Sequence, residues 1–104
     1  DEDTVATANA VNRDLIRFRV QVGAYMEQIP TDVLDKYLEI GSVYPKRDIN
    51  SGLTKYYIGK FELYEQATNY KLELIEKGIV DCFVVGEFKG NIISAVEALG
   101  LLNN

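Results

Sequence analysis

Four side chains in two short stretches are of types that bind ligands rather than transform them. Arg19 and Gln21 alternate with Val20 and Val22, and Lys55 and Tyr57 alternate with Tyr56 and Ile58. Alternation of period two puts the valine set on the buried face of a strand and the polar set on the wet face. A phenol ring can lie flat on the apolar face of a sugar, while an amide both donates to and accepts from hydroxyl or N-acetyl groups. Arg19 or Lys55 could pair with a carboxylate on the same ligand. Phe83 is a fifth candidate for this surface. Its run, Asp81-Cys82-Phe83-Val84-Val85, is apolar on both faces and so gives no register. Taken alone, an arginine and a glutamine on a strand also describe an ordinary solvated sheet face.

The residues that most often carry bond-making chemistry are missing or read as structural. It has no histidine, which excludes a histidine-dependent triad, a histidine-ligated zinc and a histidine acid–base. Its one cysteine, Cys82, lies in an apolar run and reads as a small buried hydrophobe. The carboxylate pairs Glu62/Glu65 and Glu73/Glu76 fall on the wet positions of a helix, where they solvate rather than catalyse. The expectation is therefore a non-enzyme with no cofactor and no metal. The net charge of −5 and pI near 4.6 argue against nucleic acid as a partner, since that affinity comes from Lys and Arg on phosphates. No 18-residue apolar run is present, so this segment is not expected to contact a membrane.

The elements that must position these residues follow from pattern. Residues 1–15 are acidic and short-sided and read as a linker or tail; residues 16–104 form one domain. A first strand spans 16–22 and ends at Gly23. Pro30 suits a first helical turn, and Val33, Leu34, Tyr37 and Leu38 make one apolar stripe. Pro45 makes 42–49 an edge strand, and Asn50-Ser51-Gly52 carries hairpin chemistry. A strand over 54–58 repeats the first at an offset of 36 residues, so Tyr56 and Ile58 match Val20 and Val22. A helix over 64–77 buries Leu63, Ala67, Tyr70 and Leu74 and stops at Gly78. A strand over 81–87 and a turn at Lys89-Gly90-Asn91 precede a last helix, which starts with the capping-box sequence Ser94-Ala95-Val96-Glu97 and packs Val96, Leu99 and Leu102 inward. The order is βαββαβ plus a C-terminal helix. It predicts an α+β fold of the RNP/ferredoxin-like kind, a four-stranded antiparallel sheet with its helices on one face. The opposite face is left to carry Arg19, Gln21, Lys55 and Tyr57.

Two motifs in this order resemble those of the SPOR (sporulation-related repeat) domain. Arg19-Val20-Gln21-Val22-Gly23-Ala24-Tyr25 looks like the family's opening strand. Tyr57-Ile58-Gly59-Lys60-Phe61, then Glu65-Gln66-Ala67, Lys77-Gly78 and Asp81-Cys82-Phe83-Val84-Val85, resembles its second half. The likeness covers about residues 17–86 and is closest to a divergent, Bacteroidetes-like branch. It departs from the usual pattern between Pro30 and Ile49 and again after Gly86. The resemblance implies a periplasmic, cell-envelope module that binds peptidoglycan glycan strands, favours strands stripped of their stem peptides, and so targets an attached protein to division septa. It implies glycan contacts at Gln21 and, on the third strand, Tyr57. The serine usual after the first glycine is Ala24 here, so its hydroxyl contact does not carry over. The alternative expectation is a protein-interaction or assembly domain that keeps this fold without glycan binding, and it gains if the C-terminal helix crosses the open face.

Overall fold

The computed structural model describes residues 13–103. Most of the expected linker, residues 1–12, lies outside the described residues, and 13–15 are helical and run directly into the first strand. The elements are β1 (Ile16–Tyr25), α1 (Thr31–Ile40), β2 (Val43–Arg47), β3 (Thr54–Phe61), α2 (Tyr64–Glu76), β4 (Phe83–Phe88), β5 (Asn91–Ser94) and α3 (Ala95–Leu102). The sheet order is β2-β3-β1-β4-β5, with every pairing antiparallel. Its first four strands reproduce the split βαβ arrangement. The fifth is an addition: the turn at Lys89 and Gly90 makes a tight hairpin, and Asn91–Ser94 pairs back along β4 before α3 begins. Four residues that run directly into a helix cap leave no alternation long enough to read as a strand.

The alternation in β1 is kept in three dimensions. Ile16, Phe18, Val20 and Val22 are buried, and the residues between them are partly exposed. Two clusters cover that face. Val20, Val22, Ile58, Tyr37 of α1 and Leu74 of α2 form one, with Tyr56 and Tyr70 packed against it. Ile16, Phe18, Ala67 of α2 and Ala98 of α3 form the other, joined by Ile93, Leu99 and Leu102. All three helices therefore lie on the same side, and α3 does not cross the opposite face. Gly86 lets α3 approach β4, since a Cβ there would stand 2.5 Å from that of Ala98.

Three apolar residues assigned inward positions turn out to be exposed: Leu38 (55%), Leu63 (55%) and Val96 (80%). Each lies at the edge of its stripe or outside it. Leu63 precedes α2, and its backbone N–H donates to Gln66 Oε1. In α3 the small Ala98 takes the place closest to the sheet. Ser94 caps α3 by accepting from the Glu97 N–H at 3.0 Å, as the sequence implies, while its hydroxyl donates to the Glu97 carboxylate.

The two glycines of the 36-residue repeat are structural. A Cβ on Gly23 would fall 2.5 Å from the Tyr37 hydroxyl, which donates to the Val22 carbonyl at 2.9 Å. Gly59 has φ +84°, and a Cβ there would meet the Phe61 ring. β1 also slips register between Phe18 and Val20 and between Gln21 and Gly23, so its pairing with β3 bends around the repeat.

Candidate functional site

On the helix-free face one row runs straight across four strands. Phe83 of β4 pairs with Gln21 of β1, Gln21 with Tyr57 of β3, and Tyr57 with Tyr44 of β2. Three strand spacings make this row about 14 Å long. Arg19 lies on one side of the row. On the other side Lys55 and Lys46 stand directly opposite each other across β3 and β2. All five candidate residues are thus on or beside one row, but they are not equally accessible. The sheet curls far enough for the Lys46 ammonium on β2 to donate to the carbonyl of Gly90 in the β4–β5 turn. Tyr57, in the hollow of the curl, is 1% exposed, whereas Phe83 at its outer end is 48% exposed. The face expected to be open is closed at its centre and accessible at its margins.

Arg19 is occupied structurally. Its Nε donates to both carboxylate oxygens of Glu87, at 3.1 and 3.3 Å, and its guanidinium lies 4.4 Å from the centre of the Tyr44 ring. Lys60 approaches the same carboxylate at 3.8 Å. Glu87 belongs to β4 and faces the curl because it pairs with Arg17, one step along from Arg19. A buried carboxylate needs a partner of this kind. Lys55 pairs with Asp48 at 3.3 Å. Asp48 also accepts from the Asn50 N–H and the Ser51 hydroxyl, and these bonds, the Ser51 bond first, hold its carboxyl below the usual range. The Tyr57 phenol is pushed up by burial and then by the nearby Asp48 and Tyr44, with Arg19 opposing.

Two depressions flank the row. One, of about 610 Å³, lies where the ends of β1 and β4 meet α1 and is lined by residues 21–25 of β1, Asp32, Val33, Lys36 and Tyr37 of α1, the 78–81 turn and Phe83. The other, of about 560 Å³, lies between the β2–β3 hairpin and β5 and is lined by Lys46, Arg47, Asp48, Lys55, Tyr57 and Asn91, among others. Gln21 and Phe83 therefore share one site and Lys55 and Tyr57 share the other, back to back across the row. Tyr44, Lys46 and Glu87 belong to this surface and escaped the sequence reading. Tyr44 and Lys46 bracket the strand-disfavouring Pro45. Glu87 is a lone acid at the end of an apolar run, a signal that points to a buried partner once β4 is given a register.

No cluster of His, Cys, Asp or Glu that could hold a metal ion occurs among the described residues, and none of their helices is long and apolar enough to cross a membrane. Cys82 is buried beneath α2, and burial pushes its thiol up, away from the reactive thiolate. No family model, curated protein or solved structure matches the chain.

Proposed function

We propose that this domain is a non-catalytic module that binds peptidoglycan glycan strands in the bacterial cell envelope and recruits an attached protein to them. The observation that carries the reading is the Gln21–Phe83 pair. A half-exposed aromatic ring stands beside an amide on the neighbouring strand, at the head of a groove of about 610 Å³. The ring supplies a flat apolar surface for a pyranose, and the amide supplies one donor and one acceptor group for its N-acetyl or hydroxyl substituents. The likeness of residues 17–86 to the SPOR motifs supports the same target and points to strands stripped of stem peptides. Relative to the expectation from sequence, the weight moves from Tyr57 to Phe83, because a ring 1% exposed cannot stack on a ligand without the curl opening.

The second reading is a protein-interaction or assembly domain, and it is favoured by the engagement of Tyr57, Arg19 and Lys55 within the fold itself. Sedimentation with cell-wall sacculi separates the two. The purified domain is expected to pellet with amidase-treated sacculi and less with untreated ones, and the Gln21→Ala/Phe83→Ala variant to stay in the supernatant. Failure of the wild type to pellet, or equal pelleting of the variant, would favour the assembly reading.

A further inference from the structure

The polar side chains of the two depressions differ in what they already hold. Between the β2–β3 hairpin and β5 they are engaged, Lys46 with the Gly90 carbonyl and Lys55 with Asp48. In the groove beside Phe83, the side chains of Gln21, Asp32, Lys36 and Asp81 make no hydrogen bond or ion pair with any described residue. The groove is also short. It stops at the row, because Tyr57, the partner of Gln21, is buried and no residue lines both depressions. Within it α1 and the 78–81 turn close on each other, since a Cβ on Gly78 would stand 2.8 Å from the Lys36 ammonium. A volume of about 610 Å³ suits about one or two sugar rings, with no channel leading on across the sheet for a longer strand.

We infer that this groove holds the non-reducing end of a glycan strand, with a terminal N-acetylglucosamine stacked on Phe83, its N-acetyl group on the Gln21 amide and its free hydroxyls on the carboxylates of Asp32 and Asp81. The inference rests on the glycan reading above and narrows it from a strand to a strand end. In a β-1,4-linked strand every interior N-acetylglucosamine has its 4-hydroxyl tied up in a glycosidic bond. The non-reducing terminal sugar keeps adjacent 3- and 4-hydroxyls, and such a pair donates to the two oxygens of one carboxylate through charge-assisted hydrogen bonds. The charge of the groove fits the same sugar. Its two carboxylates outnumber its one ammonium, which favours an uncharged ring over one bearing a carboxylate.

The test uses the β-1,4-linked tetramer of N-acetylglucosamine and the same tetramer carrying a methyl group on its terminal 4-hydroxyl, as chain extension would. Titrated into the wild-type protein, the free tetramer is expected to bind about tenfold more tightly than the methylated one. Dimer, tetramer and hexamer should bind about equally, since only the end of each is held. The Asp32→Asn/Asp81→Asn variant should bind the free tetramer about tenfold more weakly and the methylated one as the wild type does. Both aspartates are exposed, and circular dichroism checks that the variant is folded. Equal wild-type affinity for the two tetramers, affinity that climbs with oligomer length, or undiminished discrimination in the variant would overturn the strand-end assignment and leave glycan binding standing. Binding of no oligomer by a domain that still pellets with sacculi would do the same. Failure of both would overturn both readings.

Discussion

The side chains on the helix-free face divide into those that hold the sheet and those left free to meet a ligand. Arg19 and Glu87 belong to the first group, with side chains only 13% and 10% exposed. Removing one partner leaves a buried charge without compensation, so Glu87→Ala should destabilise the domain by about 3 kcal/mol in urea denaturation. Gln21→Ala and Phe83→Ala should each cost less than about 1 kcal/mol, since Gln21 makes no comparable ion pair and Phe83 is half exposed. A large loss of stability in the Gln21 and Phe83 variants would move them into the structural group and weaken their claim to a ligand. Gln21 and Arg19 look equivalent in the sequence, as alternate polar positions of one strand. What separates them is a carboxylate 68 residues further on, and pattern within a strand carries no information about that partner.

At the scale of elements, the repeated strand–glycine–aromatic unit was the most legible part of the chain. It gives the correct faces for Val20, Val22, Tyr56 and Ile58, and its two glycines sit where a Cβ would clash with Tyr37 or Phe61. Gly59→Ala would place a side chain at φ +84° against Phe61, and we expect a loss of about 1–2 kcal/mol in thermal or chemical unfolding. Ala substituted at Gly90 meets open space at a similar φ, so a smaller loss there would separate packing from backbone strain. The elements that could not be read were those whose position depends on long-range pairing. β5 is too short to announce itself, and the register of β4 is hidden by apolar residues on both faces. That register decides that Phe83 shares a face with Gln21 and that Glu87 faces Arg19.

For the whole molecule the governing feature is the curl. An open sheet would expose Tyr57, but the meeting of β2 with the β4–β5 turn buries it instead. No local pattern encodes curvature; it goes with the register shifts in β1 and the closing contact of Lys46 with Gly90. Burial also has a consequence with pH. It raises the Tyr37 phenol far above its ordinary value and the Tyr57 phenol in the same direction, so the folded chain holds these protons more tightly than the unfolded one. That contribution to stability is fully present below about pH 10, where free phenols begin to ionise, and is lost as pH rises through the higher folded values. Stability should therefore be flat to about pH 9 and fall above about pH 10. The fall should be shallower in Tyr37→Phe, and an identical alkaline profile in that variant would contradict the assignment.

The central claim, that a glycan strand is held at the Gln21–Phe83 end of the row, is tested most directly by mapping amide chemical-shift changes as stripped glycan oligomers are titrated into the labelled domain. We predict the largest shifts at Gln21, Phe83 and their neighbours on β1 and β4, and in the 78–81 turn that lines the same groove. The absence of shifts, or shifts confined to the helical face around Leu38 and Leu72, would contradict the account.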